Sequence, residues 1–115
     1  MKKIYIAGPY SAGNIMQVLK NISVGQKMAV RLLSYGFAVY CPFVDYQFAI
    51  LESNLSKELF QKNSMEWVKV SDAMILLPGW EGSGGTLREI VVAEKHGVRV
   101  FEDFNDLLRW KVEAE

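Results

Sequence analysis

A chain of 115 residues, half of them hydrophobic, has the material for one core and not for two, which argues against a second catalytic domain. Thirteen basic residues balance thirteen acidic ones, with no basic run beyond Lys2-Lys3, so the positive field that holds a nucleic-acid polymer is missing. One cysteine, Cys41, and one histidine, His96, exclude an internal disulfide and a Cys/His zinc set, and no run nears the ~18 apolar residues of a membrane span.

The first segment, KIYIA (Lys3 to Ala7), is β-rich and ended by Gly8-Pro9, and predicts a buried strand. Its apolar core is too short for a secretory signal of roughly 7–15 residues, so a reducing cytoplasm is the expected compartment. From Asn14 or Ile15 to Tyr35, apolar residues recur at helical spacing until Gly36 stops them. FAVYC then predicts a second strand closed by Pro42. The stretch SKELFQKNSMEWVKV predicts a helix, with a short one before it near Tyr46 to Leu51. AMILL (Ala73 to Leu77) is the clearest buried strand and ends at Pro78-Gly79. A helix from Thr86 to His96, stopped by Gly97, a fourth strand VRVF and a terminal helix from Asp103 to Val112 complete the chain.

Strands alternating with helices imply a single α/β domain over residues 1–115: a three-layer sandwich around a parallel four-stranded sheet with right-handed crossovers. The expected order is 2-1-3-4, a flavodoxin or Rossmann-like arrangement. In that order strands one and three are neighbours whose following helices lie on opposite faces, and a crevice opens beyond their carboxyl ends. The loops that would line it, GPYSAGN (Gly8 to Asn14) and PGWEGSGGT (Pro78 to Thr86), are the richest in glycine and the least periodic in the chain.

Glycines at 79, 82, 84 and 85 let the backbone approach a ligand, and a helix N-terminus after them turns amide N–H groups toward an anion. Neither the Gly-x-Gly-x-x-Gly fingerprint nor the P-loop lysine pattern is present. Glu89 admits two readings at this point. Thr86-Leu-Arg-Glu89 fits a capping box, in which the carboxylate returns to the Thr86 amide; alternatively, a carboxylate beside a phosphate-sized cradle is placed to act as a nucleophile. Tyr10 and Trp80, one on each loop, offer aromatic faces for a base, or pack over the loops as a lid. Asp72 is expected to be structural, Cys41 an inert thiol, His96 a helix cap, Trp110 a packing residue and Trp67 a core or subunit contact.

KIYIAGPYS, together with DAMILLPGWEGSGGTLREIVVAEKHGVRVF, resembles the nucleoside 2-deoxyribosyltransferase superfamily, including its nucleotide N-glycosidase branch. The likeness follows element order over the whole chain and is specific in these two blocks, about a third of the residues. It implies that Glu89 attacks the sugar C1′, that Tyr5 on the first strand orients it, and that Gly8 is the family's first-loop glycine. Ser83, six residues before Glu89, stands where nucleoside transferases carry an aspartate and where the branch acting on 5′-monophosphates carries a phosphate-binding serine. A neutral hydroxyl accepts a dianion that a carboxylate would repel. Gly84 and Gly85 amides, with Pro9, Ser11 and Asn14 of the first loop, would complete the substrate site.

One position departs from that pattern: Ser64, eight residues before Asp72, replaces the family's usual aspartate. Cleavage of a glycosidic bond calls for a second acid or base. Glu66 would point about 200° around the helix from Ser64, and Asp45 follows strand two at the correct edge of the sheet. The resemblance therefore implies hydrolysis of a nucleoside or deoxynucleoside 5′-monophosphate without cofactor or metal. The alternatives are base exchange on unphosphorylated nucleosides and a silent nucleotide-binding module. The expected partners are a small-molecule nucleotide or nucleoside and further copies of this chain, with a homodimer or larger assembly implied by the family.

Overall fold

In the computed structural model, which describes residues 1–114, four strands form one parallel sheet: β1 (Lys3–Ala7), β2 (Ala38–Tyr40), β3 (Ala73–Leu76) and β4 (Arg99–Phe101). Their order is β2-β1-β3-β4, as the alternation of elements predicts. Tyr5 of β1 lies opposite Tyr40 on one side and Met74 on the other, and Met74 lies opposite Val100. The connecting helices are α1 (Ile15–Ser34), α2 (Asp45–Leu51), α3 (Lys57–Lys69), α4 (Gly84–Lys95) and α5 (Phe104–Ala114).

Both faces of the sheet are covered, and the period of two along each strand decides which residue goes where. Ile4 and Ile6, with Ala73 and Ile75, pack against Leu32 of α1 and Phe104 and Leu107 of α5. Tyr5 and Ala7, with Met74 and Leu76, face the opposite way and pack against Val68 of α3 and Ala93 of α4. The helices after β1 and β3 therefore lie on opposite faces, and the chain's topological switch point falls between those two strands. Tyr5 is the odd member of its strand, a large polar side chain sent to a fully buried position.

The helix ends follow local chemistry. Asn14 caps α1 by accepting from the Gln17 amide at 2.9 Å, and Ser56 caps α3 by accepting from Leu59 at 3.1 Å. Gly36 and Gly97 stop α1 and α4 at φ of 85° and 73°, a left-handed conformation that costs a residue with a Cβ. Asp72 anchors the far end of the sheet: its Oδ2 accepts from the Lys3 amide at 2.7 Å, and its own amide donates to the Lys3 carbonyl at 2.8 Å. Among the described residues no helix is long and apolar enough to cross a membrane.

Two departures from expectation bear on the site, the other elements shifting by a residue or two at their ends. α4 starts at Gly84 rather than Thr86, because Ser83 takes the capping position and accepts from the Thr86 amide. A single 3-10 turn, Pro42–Val44, fills the space between β2 and α2. Its Phe43 is buried and lies against Gly25 of α1, where an added Cβ would come within 2.3 Å of the ring. Alanine in place of a mid-helix glycine ordinarily gains about 1 kcal/mol, whereas forcing a carbon into a packed contact costs about 1–3 kcal/mol. Gly25→Ala is therefore expected to lower the urea midpoint of unfolding; an unchanged or higher midpoint would mean that Phe43 yields freely.

Candidate active site

The buried tyrosine finds its partner across the switch point. The Tyr5 hydroxyl donates to Oε2 of Glu89, which projects from α4 toward β1. An unpaired buried hydroxyl costs about 1–3 kcal/mol, so the carboxylate satisfies a group that the strand has removed from water. With Ser83 as the cap, Glu89 is the sixth residue of α4 and lies beyond reach of the helix start. The capping box expected between Thr86 and Glu89 is thus replaced: Ser83 does the capping, and Glu89 is turned into the cleft.

Tyr5 is held from the side as well as from its tip. Its ring stacks on Tyr40 of β2 at 5.6 Å, and Tyr40 stacks on Trp67 of α3 at 5.1 Å. Asn63 donates to the Tyr40 hydroxyl at 3.0 Å. Burial, then the charge of Glu89 and its hydrogen bond, raise the Tyr5 pKa, so the phenol stays protonated and remains a donor. Burial pushes the Glu89 carboxyl from 4.5 up to about 7, with Asp45 adding to the rise while the Tyr5 hydrogen bond and Arg88 oppose it.

Around this pair lies a cleft of about 740 Å³, in the size range of small-molecule sites. Gly8, Pro9, Tyr10 and Ser11 of the first loop, and Ser83, Gly84 and Gly85 of the second, line it beside Tyr5 and Glu89. Gly8 sits so close to β3 that a Cβ there would lie 2.6 Å from Leu77 Cβ, which keeps the two loops adjacent. Ser83 Oγ accepts from the Thr86 amide at 3.3 Å and from Thr86 Oγ1 at 2.9 Å. A serine hydroxyl has two acceptor positions and one hydrogen. With both acceptor positions taken by Thr86, its hydrogen is left to donate.

Two expected cleft residues are placed elsewhere. Asn14 spends its side chain on the α1 cap and is not part of the cleft wall. Trp80 packs, part-buried, against the cluster of Tyr5, Met74 and Ala93, because the turn Trp80–Gly82 folds the ring onto the sheet face instead of over the opening. The residues outside the cleft are otherwise where their chemistry puts them. His96 closes α4, its Nδ1 2.9 Å from the Val92 carbonyl oxygen. Trp110 packs against Phe101. Burial raises the Cys41 thiol, leaving it unreactive.

Three further residues belong to the cleft: Ser64 and Asp45, which bear on the missing acid in the sequence, and Arg88, which was not expected there. Ser64 faces the Tyr5 phenol from α3 and is buried. Arg88 lines the cleft, its guanidinium nitrogens 3.5 Å and 3.9 Å from where side chains on Gly84 and Gly85 would start. The spacing of four residues from Gly84 to Arg88 was the available signal, since it places both on one helix face. Asp45, at the start of α2, also lines the cleft; its Oδ1 is buried without a hydrogen-bond partner. Among the described residues, no three His, Cys, Asp or Glu side chains converge as metal ligands.

A model of one protein family matches residues 2–102. The chain belongs to the family described as Domain of unknown function (DUF4406). Comparison with curated proteins gives no match. Among solved structures, the fold of this DUF4406 member is similar to that of a 2-deoxyribosyltransferase from Bacillus psychrosaccharolyticus, with a TM-score of 0.63 and 23% identity over 91% of this chain and 89% of the other. At that identity the likeness establishes the shared fold.

The raised Glu89 pKa has a consequence for stability. The folded state holds this proton more tightly than the unfolded chain does, so ionising the carboxyl costs stability progressively as pH rises from about 4.5 to about 7. The full cost is roughly 1–3 kcal/mol after solvent screening. Glu89→Gln keeps an acceptor for Tyr5 and removes the ionisation. Its melting temperature relative to the wild type is expected to rise between about pH 5 and about pH 8; a constant offset would contradict the assigned burial.

Proposed function

We propose that this chain cleaves the N-glycosidic bond of a nucleoside or deoxynucleoside 5′-monophosphate, with Glu89 as the nucleophile. The observation that carries the reading is the Tyr5–Glu89 hydrogen bond inside the cleft at the switch point. It holds a carboxylate by one oxygen and leaves the other for chemistry. A Glu89 oxygen bonds to C1′ as the C1′–nitrogen bond breaks through an oxocarbenium-like transition state, and water then hydrolyses the glycosyl ester with net retention. Tyr5 acts as a positioning residue. The scheme calls for no cofactor and no metal.

The preference for a phosphate is supported by the start of α4, which lines the same cleft. The first amides of a helix have no intrahelical acceptor, and in α4 these include Gly84 and Gly85. The Ser83 hydroxyl, left as a donor by Thr86, and the Arg88 guanidinium beside the two glycines add to the same anion-accepting surface. Gly8, Pro9, Tyr10 and Ser11 form the facing wall, where Tyr10 is the residue available to stack on a base. A second reading, transfer of the sugar between bases of unphosphorylated nucleosides, draws support from the fold likeness to a 2-deoxyribosyltransferase; the cationic and amide-rich start of α4 favours the first.

Pure protein incubated with a panel of monophosphates and of unphosphorylated nucleosides is expected to release free base from the phosphorylated set. Glu89→Ala should lose roughly a thousandfold or more of that rate, and the wild-type kcat/KM should climb on the acid side of about 7 as Glu89 loses its proton. No release by the wild type, or equal release by the variant, would overturn the reading. Ser83→Asp and Arg88→Ala are expected to raise KM for the monophosphate by about tenfold or more while leaving turnover of the matching nucleoside nearly unchanged. An exchange reaction confined to unphosphorylated nucleosides would establish the transferase reading instead.

A further inference from the structure

Glu89 supplies a nucleophile, but a departing base carries away an electron pair and needs a proton. The position facing Tyr5 from α3 is occupied by Ser64, whose hydroxyl is too weak an acid to supply one at neutral pH. Glu66, the nearest acid on that helix, is exposed and paired with Lys69 at 2.7 Å, outside the cleft. Among the described residues, Lys57 of α3 and Arg88 are the cations of the lining, and the one carboxyl there besides Glu89 is Asp45.

We infer that Asp45 is the proton donor to the leaving base, taken from the turn after β2 instead of from α3. This assignment rests on the proposed glycosidic reaction and adds to it the identity of the acid. The turn Pro42–Val44 is pinned by buried Phe43 against Gly25 of α1 and Tyr10 of the first loop, and it delivers Asp45 to the wall of the cleft that Glu89 also lines. There Oδ1 has no solvent contact and no hydrogen-bond partner. Burial without a partner disfavours the charge and favours the protonated acid, while the part-exposed remainder of the side chain is what lines the cleft.

The groups that sense the charge of Asp45 are Tyr10 from the first loop, Tyr40 and Cys41 at the end of β2, and Glu89 from α4. None is a cation. Burial accordingly pushes the Asp45 carboxyl from 3.8 up to about 6, which keeps the acid form accessible near neutrality. Tyr10 stands beside this turn with its ring 5.7 Å from Phe43, so a base stacked on Tyr10 would bring a ring nitrogen toward Asp45.

The step balances as follows. A Glu89 oxygen forms a bond to C1′; the electron pair of the breaking C1′–nitrogen bond moves into the base; the Asp45 proton moves to a base nitrogen; neutral base departs. Asp45, now a carboxylate, accepts a proton from the water that attacks C1′, and Glu89 leaves as a carboxylate, so both groups return to their starting state.

The test compares two leaving groups. A natural monophosphate needs a proton on its base, whereas 4-nitrophenolate leaves from the matching 4-nitrophenyl sugar 5-phosphate without one. Asp45→Asn should lower kcat/KM on the natural substrate by about a hundredfold or more. On the nitrophenyl substrate it should keep kcat/KM and the initial burst of nitrophenolate within about threefold, which also shows that the variant is folded; steady-state kcat falls on both, because both share the water step. Asp45→Glu, which keeps an acid, should recover part of the loss. Equal losses of kcat/KM on the two substrates in both variants, or no loss in either, would overturn the assignment while leaving the glycosidic reading intact. A wild-type protein that turns over neither substrate would overturn the reaction and Asp45's role in it together.

Discussion

The structure turns on one hydrogen bond between a strand and a helix. Tyr5 is buried by the same alternation that buries Ile4 and Ile6, but on the other face, where it needs an acceptor. Glu89 supplies it and, in doing so, is carried out of water to a place where its charge is unfavourable. Each group explains the other's burial, and neither would be stable there alone. An aliphatic pair would pack at lower cost. That the chain keeps a protonated phenol and a carboxyl held out of water at the sheet's switch point is what sets this position apart from the rest of the core.

Everything near the pair limits its freedom. The Tyr40 and Trp67 rings fix the plane of Tyr5, Ser64 borders its hydroxyl, and Gly8 lets β1 end close against β3. On the second loop, the Ser83 cap performs two tasks with one oxygen. It starts α4 two residues earlier than the sequence pattern suggested, which moves Glu89 away from the helix start, and its side chain lines the cleft. The lining thus combines groups of different character: an anion-accepting helix start with Arg88 beside it, and Asp45 and Tyr10 from the loops that Phe43 ties together.

The sheet was legible because its signals are local. AMILL and KIYIA declare themselves by composition, Gly36 and Gly97 mark where helices stop, and the strand order follows from the alternation of elements. The start of α4 was less legible, because Ser83 and Thr86 are both good caps and only the packed loop chooses between them. Asn14 and Trp80 were expected in the cleft from their loops alone; a cap bond and a turn send them elsewhere. Arg88, not singled out, and Asp45, weighed but not chosen, illustrate the opposite case. Their placement depends on a helix boundary and on the Phe43–Gly25 contact, both of which are tertiary facts.

The central claim, that Glu89 becomes covalently attached to the sugar, is most directly tested by mass spectrometry of acid-quenched protein after mixing with a 2-fluoro sugar analogue of the monophosphate, which slows release of the ester. The account predicts a mass increase of one fluorinated sugar phosphate on the peptide carrying Glu89, with the base set free in equal amount. Free base without any protein adduct, or an adduct on another residue, would contradict it.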